Sequence, residues 1–302
     1  MHEMVRNRFA AFSDPLEGSV AWMYQDSLGL VTVGLGNLID SPAAAWDTRS
    51  FGAPFVSKHD LVTEAGQGEV EAEWNAVKNN PGLKGNWQAA ENLTSLRLTE
   101  AGIANLAAGK LDTFEAHLRQ TAEFAALDQW PADAQLALFS MSWAQGPNFG
   151  GWPRFRAACA AQDWAAAVQD CGLSNAWLSK RNAVNRGLFR NALWAKDNGA
   201  DPAELQLQIP GNRPRLALGA TDADNAGQGF DTDDSVSSLQ RFLTYLGYAC
   251  SESGEFDGET DTAVRSFQSN ENQLAAAQGG FAADGIVGAL TWAALGYVVP
   301  RA

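Results

Sequence analysis

EGSVAWMYQDSLGLVTVGLGN, residues 17–37, holds two short runs of β-branched and aromatic residues on either side of a turn. Val20–Tyr24 and Leu30–Val33 are the two runs, and Asp26-Ser27-Leu28-Gly29 supplies the turn chemistry between them. The pattern predicts a β-hairpin, followed by a sharp bend at Gly34 and Gly36. Upstream, Val5, Phe9 and Phe12 recur at spacings of four and three. They predict a short helix over residues 2–12, ended by Ser13, Asp14 and Pro15. Glu17 then lies at the junction of helix and strand, Asp26 at the hairpin tip and Thr32 on the return strand. Two carboxylates meeting beside a cleft suffice for glycoside hydrolysis, one as proton donor and one to handle the nucleophile. Each has an ordinary alternative: Asp before Gly commonly forms a turn, and Glu at a helix end is commonly solvated.

Outward from the hairpin, residues 41–56 read as loop. The acidic stretch 59–79 reads as a helix weakened by Gly66 and Gly68. Thr99 caps a cleaner helix carrying Ile103, Leu106, Leu111, Phe114 and Leu118. Further helices fit 131–144, 152–161, 163–171 and 181–196. Residues 201–234 are rich in Gly, Asp and Asn, as a linker is. Three short helical patterns follow, through Leu239 and Leu243, through Val264 and Phe267, and through Trp292 and Leu295. At roughly 100–200 residues per domain, a chain of 302 residues favours two domains. The expectation is residues 1–200, a linker over 201–234, and a small domain over 235–297. The fold class is α+β: a mainly helical domain with a small hairpin or sheet, then a three-helix all-α domain.

The net charge is -14, with -5 on residues 1–200 and -9 on residues 201–302. Such a chain lacks the basic face that phosphate neutralisation needs, so nucleic acid and anionic lipid are poor partners. The three cysteines, Cys159, Cys171 and Cys250, form no CxxC pair and read as buried thiols, with a Cys159–Cys171 bridge as the alternative. His2, His59 and His117 have no metal-ligand spacing, and no cofactor is implied. The N-terminus lacks the apolar core of a Sec signal, and no apolar run is long enough to span a bilayer.

The stretch 17–37 resembles the signature of phage-type lysozymes: Glu17-Gly18, Tyr24-x-Asp26, Gly29, then Thr32-x-Gly34-x-Gly36, with the E-x8-D-x5-T spacing unbroken. WPADAQLALFSMSWAQG, 130–146, resembles that family's central helix, and VNRGLFRNALW, 184–194, its late helix. The resemblance implies a muramidase with Glu17 as general acid, Asp26 and Thr32 positioning the attacking water, and inversion. It places Leu38 and Trp143 against the sugar chain, with core packing as the alternative for Trp143, and pairs Arg186 with Glu17. Asn37 stands where the family has His, Pro15 precedes Glu17, and the stretch from Asn37 to Thr99 is longer than in compact members.

The C-terminal stretch resembles a three-helix peptidoglycan-binding domain, through Leu239-Gln240, Leu246-Gly247-Tyr248, Asp257-Gly258, Phe267-Gln268, Asp284-Gly285 and Thr291-Trp292. Together the two resemblances imply a monomeric wall hydrolase with peptidoglycan as partner. It would be made in the cytoplasm and delivered to the wall or periplasm through a holin or a secretion system, in the latter case with a cognate immunity protein. The alternatives are a non-catalytic wall-binding protein and an amidase or peptidase.

Overall fold

The computed structural model describes residues 1–275 and 282–296. The remainder of the expected 235–297 domain, residues 276–281 and residue 297, lies outside the described residues. The chain is mainly helical with two small antiparallel sheets, an α+β fold. It forms two compact units: residues 6–113, and residues 1–5 with 114 onward. Within the described residues no helix is long and apolar enough to cross a membrane.

The unit 6–113 contains most of α1 (Glu3–Glu17), the strands β1 (Val20–Gln25), β2 (Val31–Gly34) and β3 (Asn37–Leu38), and the helix α2 (Pro42–Asp47). Strand β4 (Val56–Ser57), helices α3 (Gln67–Lys78) and α4 (Trp87–Leu93), strand β5 (Leu96–Arg97) and most of α5 (Glu100–Leu118) complete it. The hairpin forms as expected: β1 and β2 pair antiparallel, with Tyr24 opposite Thr32 and Gln25 opposite Val31. Strand β3 adds to β2, with Leu38 opposite Thr32. Val31 and Val33 are fully buried, each contributing roughly 1.5–3 kcal/mol of apolar burial.

Residues 41–56 are not all loop. Ser41 accepts from the Ala44 N–H at 3.0 Å, and Pro42 opens α2. A capping serine followed by proline and three alanines is a helix start. The stretch 59–79 becomes helical only at Gln67, because Gly66 is the N-cap and Glu69 accepts its N–H at 2.7 Å. The long segment after Asn37 is tied firmly to the hairpin. Gln25 donates to Val77 O at 2.6 Å, Trp74 donates to Ile39 O at 2.8 Å, and Lys78 pairs with Asp40 at 2.7 Å.

The second unit is built around α9 (Ser179–Asn198). Against it pack α6 (Ala132–Gln145), α8 (Trp164–Asp170), which follows α7 (Pro153–Ala161), and α13 (Ala289–Leu295). The helices α10 (Asp222–Asn225), α11 (Ser235–Tyr245) and α12 (Gly258–Leu274) lie between α9 and α13 in the chain. Position 187 of α9 has to be glycine, since a Cβ there would stand 1.9 Å from Ala293 O on α13.

Residues 114–200 share a compact unit with the C-terminal helices rather than with residues 6–113. Nor is 201–234 a free linker: Leu207 and Leu216 are buried, and Leu216 exchanges backbone hydrogen bonds with Val287 at 3.0 and 2.9 Å. One apolar core takes in Ala183 of α9, Leu216, Leu239, Val264, Phe267 and Trp292.

Asp133, fully buried at the start of α6, fastens this segment. It accepts from the N–H groups of Gln206 and Leu207 and from the Asn191 amide, at 2.8, 3.2 and 2.8 Å. Burial is the larger influence and raises its carboxyl from 3.8 to about 6, against those hydrogen bonds. A folded value above the unfolded one means its stabilising contribution is complete below pH 3.8 and is lost as pH rises through about 6. The free energy of unfolding should therefore lose about 2 kcal/mol from this group between pH 4 and pH 7.5. Urea unfolding of the chain and of Asp133→Asn at both pH values reads it out. The cost of the substitution should be smaller at the higher pH, and an equal cost at both would refute the assignment.

Candidate active site

Glu17 is the last residue of α1. Gly18 follows with φ 74°, a left-handed conformation that glycine adopts without steric cost, and its N–H returns to Asp14 O at 2.8 Å. Pro15, expected to end the helix, lies inside its last turn instead. So close to the C-terminus a proline removes one hydrogen bond and leaves the helix intact. Glu17 is exposed.

Asp26 occupies the hairpin tip and is half-buried. Its backbone N–H donates to Leu30 O at 2.9 Å. Its Oδ1 accepts from the N–H groups of Leu28 and Leu30, at 2.8 and 2.9 Å. Both turn bonds thus fall on one oxygen, and among the described residues Oδ2 has no hydrogen-bond donor. The turn-forming role and a chemical role are compatible on this side chain. Thr32 is buried, directly across from Tyr24, and its hydroxyl donates to Leu30 O at 3.2 Å. The hydroxyl oxygen keeps its acceptor capacity.

Tyr24 feels the charge of both carboxylates. Burial pushes its phenol above the ordinary value, and the charges of Asp26 and Glu17 push the same way. Both acids therefore lie within electrostatic reach of one ring. Lys110 of α5 also feels Glu17: burial lowers its ammonium, and the Glu17 carboxylate opposes that shift. Residue reading passed over Lys110. Its signal was a lone cation in the apolar run AGIANLAAGKL, residues 101–111.

A cavity of about 320 Å³ opens beside β3, lined by Asn37, Leu38, Asp47, Phe51, Lys110 and Thr113. Leu38 is 60% exposed at its edge, well placed for contact with a ligand. Asn37 is buried, and its Oδ1 has no hydrogen-bond partner.

Two expected roles change. Arg186 is buried, and its Nε donates to Glu271 Oε2 of α12 at 2.6 Å. Its ion-pair partner is Glu271 rather than Glu17, because α9 packs within the C-terminal unit and a buried guanidinium needs a buried counter-charge. Trp143 is buried edge-on against Phe114, with ring centroids 6.1 Å apart, so it is a core aromatic. Cys159 and Cys171 are buried free thiols. Burial drives both well up, Cys171 to about 12. Among the described residues, no cluster of His, Cys, Asp and Glu could hold a metal ion.

Comparison with known proteins bears on the C-terminal part. The family model of the peptidoglycan binding domain matches residues 232–295. No curated protein and no solved structure matches the chain. The matched segment covers α11, α12 and α13, whose apolar faces build the core around Leu239, Val264 and Trp292. Residues 232–295 therefore resemble a peptidoglycan-binding domain, and the match supports peptidoglycan as a partner of this chain.

Proposed function

We propose that the chain is a muramidase, hydrolysing the β-1,4 bond between N-acetylmuramic acid and N-acetylglucosamine in peptidoglycan. The observation that supports this reading is the hairpin that carries Asp26 at its tip and Thr32 opposite Tyr24, just after the α1 end at Glu17, in a chain whose residues 232–295 match a peptidoglycan-binding domain. Glu17 gives its proton to the leaving glycosidic oxygen. Asp26, through Oδ2, takes one proton from the attacking water, and Thr32 Oγ1 accepts a hydrogen bond from its other O–H, which stays on the sugar's new hydroxyl. Attack from the face opposite the leaving group inverts the anomeric centre. The binding domain raises the local concentration of the chain on its polymer.

Mass spectrometry of the soluble products from purified sacculi tests the bond assignment. New reducing N-acetylmuramic acid ends on fragments with intact stem peptides are expected. Freed peptide or amine ends on intact glycan would instead establish an amidase or peptidase. Burial raises the thiols of Cys159 and Cys171, which weighs against either as a nucleophile, since that role needs the thiolate. A second reading, a wall-binding protein without catalysis, is favoured by the Asp26 turn bonds and the exposure of Glu17. Binding to sacculi with no released sugar would establish it.

The setting proposed with this activity is delivery to the wall or periplasm by a holin or by a contact-dependent secretion system. The second route requires an immunity protein in the producer. An adjacent holin gene would decide for the first.

A further inference from the structure

Between α9 and α11 lies a cavity of about 260 Å³, separate from the carboxylates discussed above. Trp194 of α9 and Phe242 and Tyr245 of α11 form its aromatic walls, with Gln206, Asn191 and Arg241 completing the lining. The rings of Phe242 and Tyr245 stand 5.7 Å apart, and the Tyr245 hydroxyl is anchored on Asp197 at 2.8 Å. Asn191 is held from below by Asp133.

Two polar groups in this cavity have no protein partner among the described residues: the indole N–H of Trp194 and the side-chain amide of Gln206. Both residues are half-buried. The one cation, Arg241, is already paired with Asp234 and Glu252. With -9 on residues 201–302, the cavity offers no net attraction to an anion. What remains is the part-buried aromatic surface of Trp194 and Tyr245, backed by the core ring of Phe242, beside solvent-accessible neutral donors and an acceptor. That combination suits a ligand with apolar C–H faces and a rim of hydroxyl and acetamido groups.

We propose that this cavity binds an N-acetylated amino sugar of the glycan strand, and that α9 and the matched peptidoglycan-binding segment build the site jointly. Phe242, Tyr245 and Arg241 lie inside the matched segment, whereas Trp194 and Gln206 lie outside it. The segment 232–295 alone therefore has half a site. The inference stands on the peptidoglycan-binding domain and is independent of the muramidase reading.

The test uses the full chain carrying Glu17→Gln, so that no hydrolysis intervenes. The probes are N-acetylglucosamine trimer, followed by NMR, and purified sacculi, followed by co-sedimentation. The trimer should shift the Trp194 indole and Tyr245 ring signals. Gln206→Ala and Trp194→Ala should each weaken sacculus binding about five- to tenfold, the loss of one stacked ring or amide contact. Gln206→Ala breaks no hydrogen bond in the free protein, so it keeps the test valid even where Trp194→Ala does not fold. Unchanged affinity in Gln206→Ala, with Trp194 and Tyr245 signals unmoved by the trimer, overturns the proposal. So does a shift with a muramyl stem peptide and none with the trimer. Sugar binding at this cavity in a chain that never cuts glycan would sink the muramidase reading and leave this one standing.

Discussion

Glu17→Gln should lower the release of reducing sugar from purified sacculi by about 10²- to 10⁴-fold, the usual contribution of a positioned proton donor. That corresponds to about 3–5 kcal/mol of lost transition-state stabilisation. Glutamine has the shape of glutamate and cannot give up a proton to the glycosidic oxygen. Glu17 is exposed at the end of α1, and the Gly18 turn that stops the helix uses backbone groups only. Stability should fall only modestly, because the part-buried Lys110 ammonium loses the Glu17 charge that offsets its burial while the helix stop is kept. A thermal melt run beside the sugar assay separates lost chemistry from lost folding. Asp26→Asn sharpens the result. The asparagine oxygen can take over both turn bonds to Leu28 and Leu30, so the hairpin survives while the basic Oδ2 is gone. Retained sugar release in a folded Glu17→Gln chain would defeat the mechanism.

Glu271→Gln should destabilise the C-terminal unit by about 3–5 kcal/mol, the range for breaking a buried ion pair from one side. Glu271 is fully buried between two arginines of α9. Arg186 donates to its Oε2 at 2.6 Å, and Arg190 donates to its other oxygen and to Ala294 O. Arg190 also lies over the Phe267 ring, 4.9 Å from its centroid. Removing the carboxylate charge leaves two guanidinium groups in a dry interior with nothing to compensate them. Replacing all three residues by apolar ones of similar volume should cost far less, because the desolvation of the ions disappears together with their attraction. Urea unfolding of the two variants makes the comparison. A Glu271→Gln chain as stable as the parent would show that the ion cluster is solvated in solution.

The hairpin and the long helices were legible because their signals are local. Alternating apolar residues about Asp26-Ser27-Leu28-Gly29 dictate the turn, and periods of three and four dictate α5, α9 and α11. Helix α2 was not legible: six residues are too few to show a helical period, although Ser41-Pro42 before three alanines is a helix start. Lys110 and Tyr24 carried weaker signals. A lone cation in an apolar helix and a tyrosine between two acids acquire meaning only when their surroundings are known.

By itself, the sequence determined the E-x8-D-x5-T spacing about the hairpin and the three-helix peptidoglycan-binding domain at the C-terminus. The first is written in residues close together in the chain, and the second in apolar spacings and Asp-Gly turns that each read locally. Only the tertiary structure decided that Arg186 belongs to Glu271, that Trp143 is core, and that 201–234 is not a tether. Leu216 among Gly, Asp and Asn reads as an isolated apolar residue until Val287, far along the chain, supplies its backbone partner. Burial and ion pairing are properties of neighbours in space, and a linear pattern names neighbours only within a turn or two.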